Sequence, residues 1–388
     1  DNAATLGGGM YSESSDPTLI ACTFRGNSAT EGGGAIVHWY NRLAITRCVF
    51  QGNTAYASGA YGGGGIHALG SDLALSECRF VGNAADYGGG MSVFYCSGEI
   101  ANCLFEANDA VSGAIASGGA IEVYSRFDTL AILNSQFIRN RAVNYGGGLY
   151  GGRGIVLCAN CQFSGNLAAI GGAFYGQDFA HTALVNCTIV GNRTFPGSAS
   201  PAGVDNRGEL TIWNSILWGN ANASGMTQNA QLHGALWIYN SAVQGWTGGL
   251  DGDANIGYDP RFVNPGSWDD NGTPDFELDD VWMDGDYRLL PHSPSIDTGD
   301  NSAVPDGIIT DLGGHPRFHD GDRDGVTTVD MGAYEFFFDC NNNGVPDEDD
   351  IAEGTSQDLF PPWGGDGMPD ECQTVTPTPI PNKRAGQR

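Results

Sequence analysis

In the first half of the chain, apolar residues recur at every second position in short runs, and each run closes on glycine or asparagine. Ile20, Cys22 and Phe24 share one side of such a run, while Ala21, Thr23 and Arg25 share the other. That alternation marks a strand with one buried face. The runs repeat. Phe24-Arg-Gly-Asn27, Phe50-Gln-Gly-Asn53, Phe80-Val-Gly-Asn83, Phe105-Glu-Ala-Asn108, Phe137-Ile-Arg-Asn140 and Phe163-Ser-Gly-Asn166 follow one another at 26, 30, 25, 32 and 26 residues. Glycine clusters such as Gly32–Gly34, Gly62–Gly65 and Gly88–Gly90 stand between them. A fixed period of this length marks a repeat array. No stretch between repeats has helical periodicity, so each repeat holds only short strands and turns. The pattern predicts an all-β fold, a right-handed parallel β-helix (solenoid) of about nine coils, each rising by roughly 4.8 Å.

Stacking such coils turns repeat positions into ladders, because one coil alone cannot bury its apolar face. The inward Phe file continues through Ile189, Leu217 and Val243, and a file of Cys22, Cys48, Cys78, Cys103, Ser135, Cys161, Cys187, Ser215 and Ser241 runs beside it. Asn27, Asn53, Asn83, Asn108, Asn140, Asn166, Asn192 and Asn220 form a third. Asparagine tolerates left-handed backbone and bonds neighbouring turns, so these are turn residues, not catalytic ones. The glycine clusters are tight corners. A phosphate loop needs a lysine, and Lys383 in the tail is the only one. Cys158 and Cys161 form a C-x-x-C, but Cys161 already belongs to the thiol ladder.

The pairing of Gly-Gly-Ala-Ile with Phe-x-x-Asn, as in Gly33-Gly34-Ala35-Ile36 and Gly118-Gly119-Ala120-Ile121, resembles the repeat of polymorphic outer-membrane proteins, a group that includes autotransporter adhesins. The resemblance covers residues 1 to about 192. It implies a β-helical protein that is extracellular or on a cell surface. Tyr287-Arg288-Leu289, Ser293-Pro294-Ser295-Ile296-Asp297 and Val329-Asp330-Met331-Gly332-Ala333-Tyr334-Glu335-Phe336 resemble closing segments of secreted bacterial β-helix proteins. The domain reading is repeats over 1–245, irregular acidic coils capping the stack over 246–338, a calcium segment over 339–372, and a Pro/Thr-rich tail over 373–388.

Charge sharpens the division. Of a net charge of −28, residues 245–372 carry −26, from 30 acids and 4 arginines. That balance opposes nucleic acid and anionic membranes and favours cations, and no apolar run is long enough to insert into a membrane. Within this region Asp339, Asn341, Asn343, Asp347 and Asp350, with Gly344 at the sharp turn and the Val345 carbonyl in seventh place, fit the ligand spacing of a calcium loop. Asp320, Asp322 and Asp324, followed by Gly325, form a shorter match. The segment resembles the tandem Ca²⁺ repeats of dockerins and thrombospondin type 3 modules. Cys340 and Cys372 bracket it and are expected to pair in an oxidising setting.

The outward positions flanking the Phe file, including the Ala21, Arg47, Glu77, Asn102 series, contain no carboxylate pair suited to glycoside hydrolysis. Catalysis is therefore not expected. Asn271, Asn222 and Asn186 lie in glycosylation sequons, and Thr376 and Thr378 sit beside prolines as O-glycan candidates. The chain opens at the Asn of a turn whose strand is missing, leaving an edge that a second copy can complete. The expected function is thus an extracellular structural subunit that assembles head to tail. The alternatives are a monomeric surface adhesin that contacts glycans or a cell surface, and a polysaccharide-binding or pectate-lyase-like cleaving β-helix.

Overall fold

The computed structural model describes residues 1–56, 62–111, 116–125, 128–178, 180–273, 277, 279–339 and 347–354. Contacts divide the chain into residues 1–336 and 337–388. The first unit is an all-β solenoid of three parallel sheets. In the phenylalanine sheet Thr23–Arg25 pairs with Val49–Gln51, that strand with Arg79–Val81, and so on to Ile216–Trp218 and Ala242–Val243: nine strands, one per coil. A second sheet steps from Ala3–Leu6 through Ser28–Gly32 and then two-residue strands to Arg193–Thr194. The third carries two strands per coil, fused into one in Ile36–Thr46, Ile66–Ser76, Val204–Trp213 and Leu232–Tyr239.

The ladders fall where the alternation puts them. Phe24, Phe50, Phe80, Phe105, Phe137 and Phe163 are in register, and Ile189, Leu217 and Val243 continue the file. Neighbouring rings lie 4.5–5.2 Å apart with planes within 8° of parallel. Five of the six are fully buried, and truncating a buried ring to Ala costs roughly 3–5 kcal/mol. The asparagines form a continuous polar row. Asn53 Nδ2 donates to Asn83 Oδ1 at 2.9 Å and to the Phe24 carbonyl at 3.0 Å, while its Oδ1 accepts from the Asn27 amide groups. The same pattern runs to Asn220, whose Nδ2 meets Gln231 Oε1 at 2.7 Å. Burial pushes the Cys158 and Cys161 thiols up, as suits packing groups. Cys340 and Cys372 lie outside the described residues.

Two expectations need correction. The Ala21, Arg47, Glu77, Asn102 file does not sit on the outer side of a strand. With Asn134, Asn160, Asn186, Asn214 and Asn240 it forms the corner before each Phe strand, at φ of 44–58°. Asparagine tolerates that left-handed backbone, which explains its takeover of the file. Nor does most of 246–338 cap the stack. Asp251 and Ile256 add bridges to Trp237 and Ala242, and Trp246 and Leu250 pack on the core. From Phe262 onward the chain instead runs back along the side as a strap.

The strap covers the outer face of the phenylalanine sheet in its later coils. Trp268 Nε1 donates to the Gly191 carbonyl at 2.8 Å, the Ala333 amide to Thr188 Oγ1 at 2.9 Å, and the Tyr334 hydroxyl to Gln162 Oε1 at 2.8 Å. The Trp282 ring seats over Gly165 and Gly191, both at positive φ, where a Cβ would collide with it. The corner asparagines hold the strap backbone: Asn160 donates to the Thr310 carbonyl and Asn214 to that of Asp300. At its centre Arg317 is fully buried. Its Nε pairs with Glu335 at 3.1 Å, and Nη2 donates to the carbonyls of Asp330 and Gly332. The Asp330 carboxylate accepts from the amides of Asp297 and Phe336. The motif over 329–336 is thus a buried polar lock.

In the second unit, Asp347–Glu353 is a short helix beginning at the ninth position of the expected calcium loop.

Candidate functional site

The strap also packs Val304 and Ile308 on Leu133, Leu157, Val185 and Trp213 of the third sheet, while Tyr11, Tyr40 and Tyr95 of its earlier coils stay exposed. Ile66, Met91, Ile121, Leu149, Phe174, Val204 and Leu232 belong to the core, so the residue after each points outward. That file is His67, Ser92, Glu122, Tyr150, Tyr175, Asp205 and His233, in unbroken register. Two residues further along each strand lies a second outward file, Glu13, Trp39, Leu69, Phe94 and Tyr124. Tyr40 and Tyr95 occupy the adjoining corner at φ 63° and 50°, exposed by 48% and 41%. With Tyr11 these rings form an aromatic strip along the axis of the first five coils. Tyr11 meets Trp39 edge-on at 5.3 Å, and Phe94 stacks on Tyr124 at 5.5 Å. Sequence reasoning missed the strip because it followed only the phenylalanine sheet. The signal was present, as the residues one and three places after each glycine-cluster hydrophobe.

Below the strip lies Glu122, buried on the outward file. It accepts from Ser117 Oγ at 3.1 Å and Ser92 Oγ at 3.4 Å. Burial outweighs these two donors and pushes its carboxyl up to about 8, so it is protonated at neutral pH. Burial pulls His67 down to about 4, leaving it neutral as well. Further along, Tyr150 stacks on Tyr175 at 5.6 Å, and Asp205 pairs with His233 at 3.2 Å. Glu122 and Asp205 stand three rungs apart, about 14 Å at the strand spacing. Two carboxylates acting on one glycosidic bond need roughly 5–9.5 Å. Among the described residues of this file, Glu122 and Asp205 are thus too far apart to flank one glycosidic bond.

The expected metal residues are only partly gathered. Carboxylate oxygens of Asp320 and Asp322 lie within 4.8 Å of each other and of Asp297, which the spacing argument did not include. Asp297 belongs to the Ser-Pro-Ser-Ile-Asp segment; its Oδ2 accepts from the Asp322 amide at 2.6 Å, and burial raises its carboxyl. Asp324 turns to the Val326 amide instead. This Asp triad is a possible metal-holding group. Asp347 and Asp350 are buried on the first turn of their helix, while Asn341, Asn343 and Val345 lie outside the described residues, next to Asp339.

Of the glycan candidates, Asn271 is exposed, whereas Asn222 donates to the carbonyls of Ala199 and Ser200. Asn186 is buried with its amide on the Asp330 carbonyl, where a glycan has no room. Thr376 and Thr378 lie outside the described residues. Asn222 also lines a cleft of about 670 Å³ between solenoid and strap, with Phe195, Trp268 and Asp270. Arg193 in its wall is already engaged by Asp280 at 2.7 Å and by the Trp268 ring.

Residues 2–137 match the family described as right handed beta helix region. The winding of this stretch is therefore right-handed. Among solved structures, pectate lyase Pel9A is similar at 14% identity, over 83% of this chain and 89% of that one, with a TM-score of 0.43. No curated protein matches the chain. No described helix is long and apolar enough to cross a membrane.

Proposed function

We propose that this chain is an extracellular polysaccharide-binding β-helix whose binding face is the aromatic strip of the third sheet. The observation that carries the reading is the alignment of Tyr11, Trp39, Tyr40, Phe94, Tyr95 and Tyr124 along the solenoid axis, with Tyr11, Tyr40 and Tyr95 exposed. Aromatic faces carry a negative quadrupole, and the C–H faces of pyranose rings pack against them. Trp39 and Phe94 stand two rungs apart, about 9.6 Å, close to the length of two extended sugar units. A linear polymer lying along the axis would thus meet rings at its own repeat.

Binding is favoured over cleavage because Glu122 and Asp205 are too far apart to share a bond, and Asp205 already holds His233. It takes precedence over head-to-tail assembly because it is the reading that uses the strip. Extracellular location is supported by the resemblance to polymorphic outer-membrane repeats and by the exposed Asn271 sequon. Calcium, in this reading, stabilises the strap through Asp297, Asp320 and Asp322.

The test is a panel of insoluble and soluble polysaccharides presented to the wild type, Trp39→Ala and Tyr95→Asn. Retention by at least one polymer, weakened in both variants, supports the proposal. Retention by none, or equal retention of all three proteins, overturns it.

A further inference from the structure

We infer that the polymer bound along the strip is neutral, a chain of uncharged pyranoses, and that polyuronates are turned away. The inference rests on the polysaccharide-binding reading above and adds the chemical class of its ligand.

Fixed charge around the strip is mostly negative, the exposed Arg207 of this sheet lying coils away beside Tyr175. Glu13 stands in the strip's own file beside Trp39, exposed, and accepts from the Tyr11 hydroxyl at 2.7 Å. Asp16, Asp72 and Glu99 are exposed on the same sheet or at its edge. Arg42, the arginine nearest the strip among the described residues, lies in register with Asp72, and its backbone amide donates to Asp16 Oδ1 at 2.9 Å. Its charge is therefore flanked by carboxylates on both neighbouring coils. Recognition of a sugar carboxylate calls for an available guanidinium or ammonium, usually in a charge-assisted pair. The rings of the strip hold none, and the exposed Arg42 beside them is outnumbered by Glu13, Asp16, Asp72 and Glu99.

A bridging calcium does not repair this. Asp16 and Asp72 stand two rungs apart, about 9.6 Å, whereas one Ca²⁺ needs its oxygens at about 2.3–2.6 Å. The carboxylates of this face are spread along the axis and do not converge. With a Debye length of about 8 Å in physiological salt, several of them act on any anionic sugar seated here.

The experiment compares retention of the full chain by neutral polymers (a mixed-linkage glucan, a galactomannan, an arabinoxylan) and by polygalacturonate and alginate. Each is run at physiological salt, with calcium and with chelator. Wild type is run beside Tyr40→Asn and Tyr95→Asn. Both positions have left-handed backbone, which asparagine accepts, so the variants keep the corner. The expected result is binding to a neutral polymer about tenfold or more tighter than to either polyuronate. It should be indifferent to calcium and weakened about fivefold or more in each variant. Polyuronate bound as tightly as neutral polymer and lost in Tyr95→Asn, with or without calcium, overturns the inference and leaves the binding face standing. Binding to nothing, or binding unchanged in both variants, removes the face itself and the inference with it. So does a concentration-dependent dimer that Tyr95→Asn abolishes, since a second copy would then occupy the strip.

Discussion

Replacing Glu122 by Gln should make the protein more stable in alkali and leave it nearly unchanged in acid. The carboxyl is buried between Ser92 and Ser117, and its folded-state value is pushed from the ordinary 4.5 to about 8. In the unfolded chain it releases its proton near 4.5. Between those two values the folded state holds a proton that the unfolded state has lost, so stability falls as pH rises through the window and levels off above about 8. At 1.36 kcal/mol per pH unit that interval bounds the cost at about 5 kcal/mol. Local relaxation and water entry reduce it, so about 2–5 kcal/mol is expected at pH 9. Glutamine has nearly the same shape, accepts from one serine and donates to the other, and does not titrate. Other raised acids, Asp330 and Asp311 among them, titrate in both proteins and cancel in the difference. The assay is guanidinium unfolding of wild type and Glu122→Gln at pH 5, 7 and 9, read by far-UV circular dichroism. The gap in midpoint should open with pH in favour of the variant. A gap that stays flat, or a variant less stable at pH 9, would refute the assignment of a buried neutral acid.

Other outcomes follow from the strap. Arg317→Ala leaves the Glu335 carboxyl buried without its partner and should cost roughly 3–5 kcal/mol. Limited proteolysis should then cut within 297–336 while the phenylalanine coils stay protected; uniform cleavage of the whole solenoid would show that the strap is not a separable layer. Calcium should raise the melting temperature of the wild type, and Asp297→Asn should abolish that rise if the triad with Asp320 and Asp322 is the site. A rise kept in Asp297→Asn and lost in Asp347→Asn would assign the ion to the C-terminal loop, and no rise in the wild type would leave both as solvated acidic turns.

The coil architecture could be read from the chain because its ladders are local statements repeated in order. Phe80 announces its neighbours Phe50 and Phe105 by sitting three places before an asparagine, as they do. The strap could not be read in that way. Its lock joins Arg317, Asp330 and Glu335 to backbone groups elsewhere in the strap, and reaches the coils through Arg317 Nη1 on Asn160 Oδ1; nothing periodic leads from Arg317 to Asn160. Corner asparagines such as Asn186 and Asn214 looked like outward strand positions because alternation was carried one residue too far, across a turn that reverses side-chain direction. The aromatic strip was legible in principle. Trp39, Phe94 and Tyr124 share a fixed offset from the glycine clusters, but the offset is informative only once those clusters are known to be corners feeding a second sheet. Asp297 lay beyond reach, since its partners Asp320 and Asp322 come from a different loop.

The asparagine row also bears on how the molecule ages. Deamidation begins when the backbone nitrogen following an asparagine attacks its side-chain carbonyl. In the row that nitrogen is held: Thr54, Ala84, Asp109 and Arg141 each donate their amide to the carbonyl of the asparagine one coil earlier, at 2.9 Å. The oxygen of the side-chain carbonyl under attack is itself held by two donors from the preceding coil. Neither partner is free to move toward the other without opening the stack. Asn271, exposed and followed by Gly272, has no such restraint from a neighbouring coil. Among the described residues, chemical wear should therefore begin at that loop, while the buried amides keep their identity for as long as the coils stay closed.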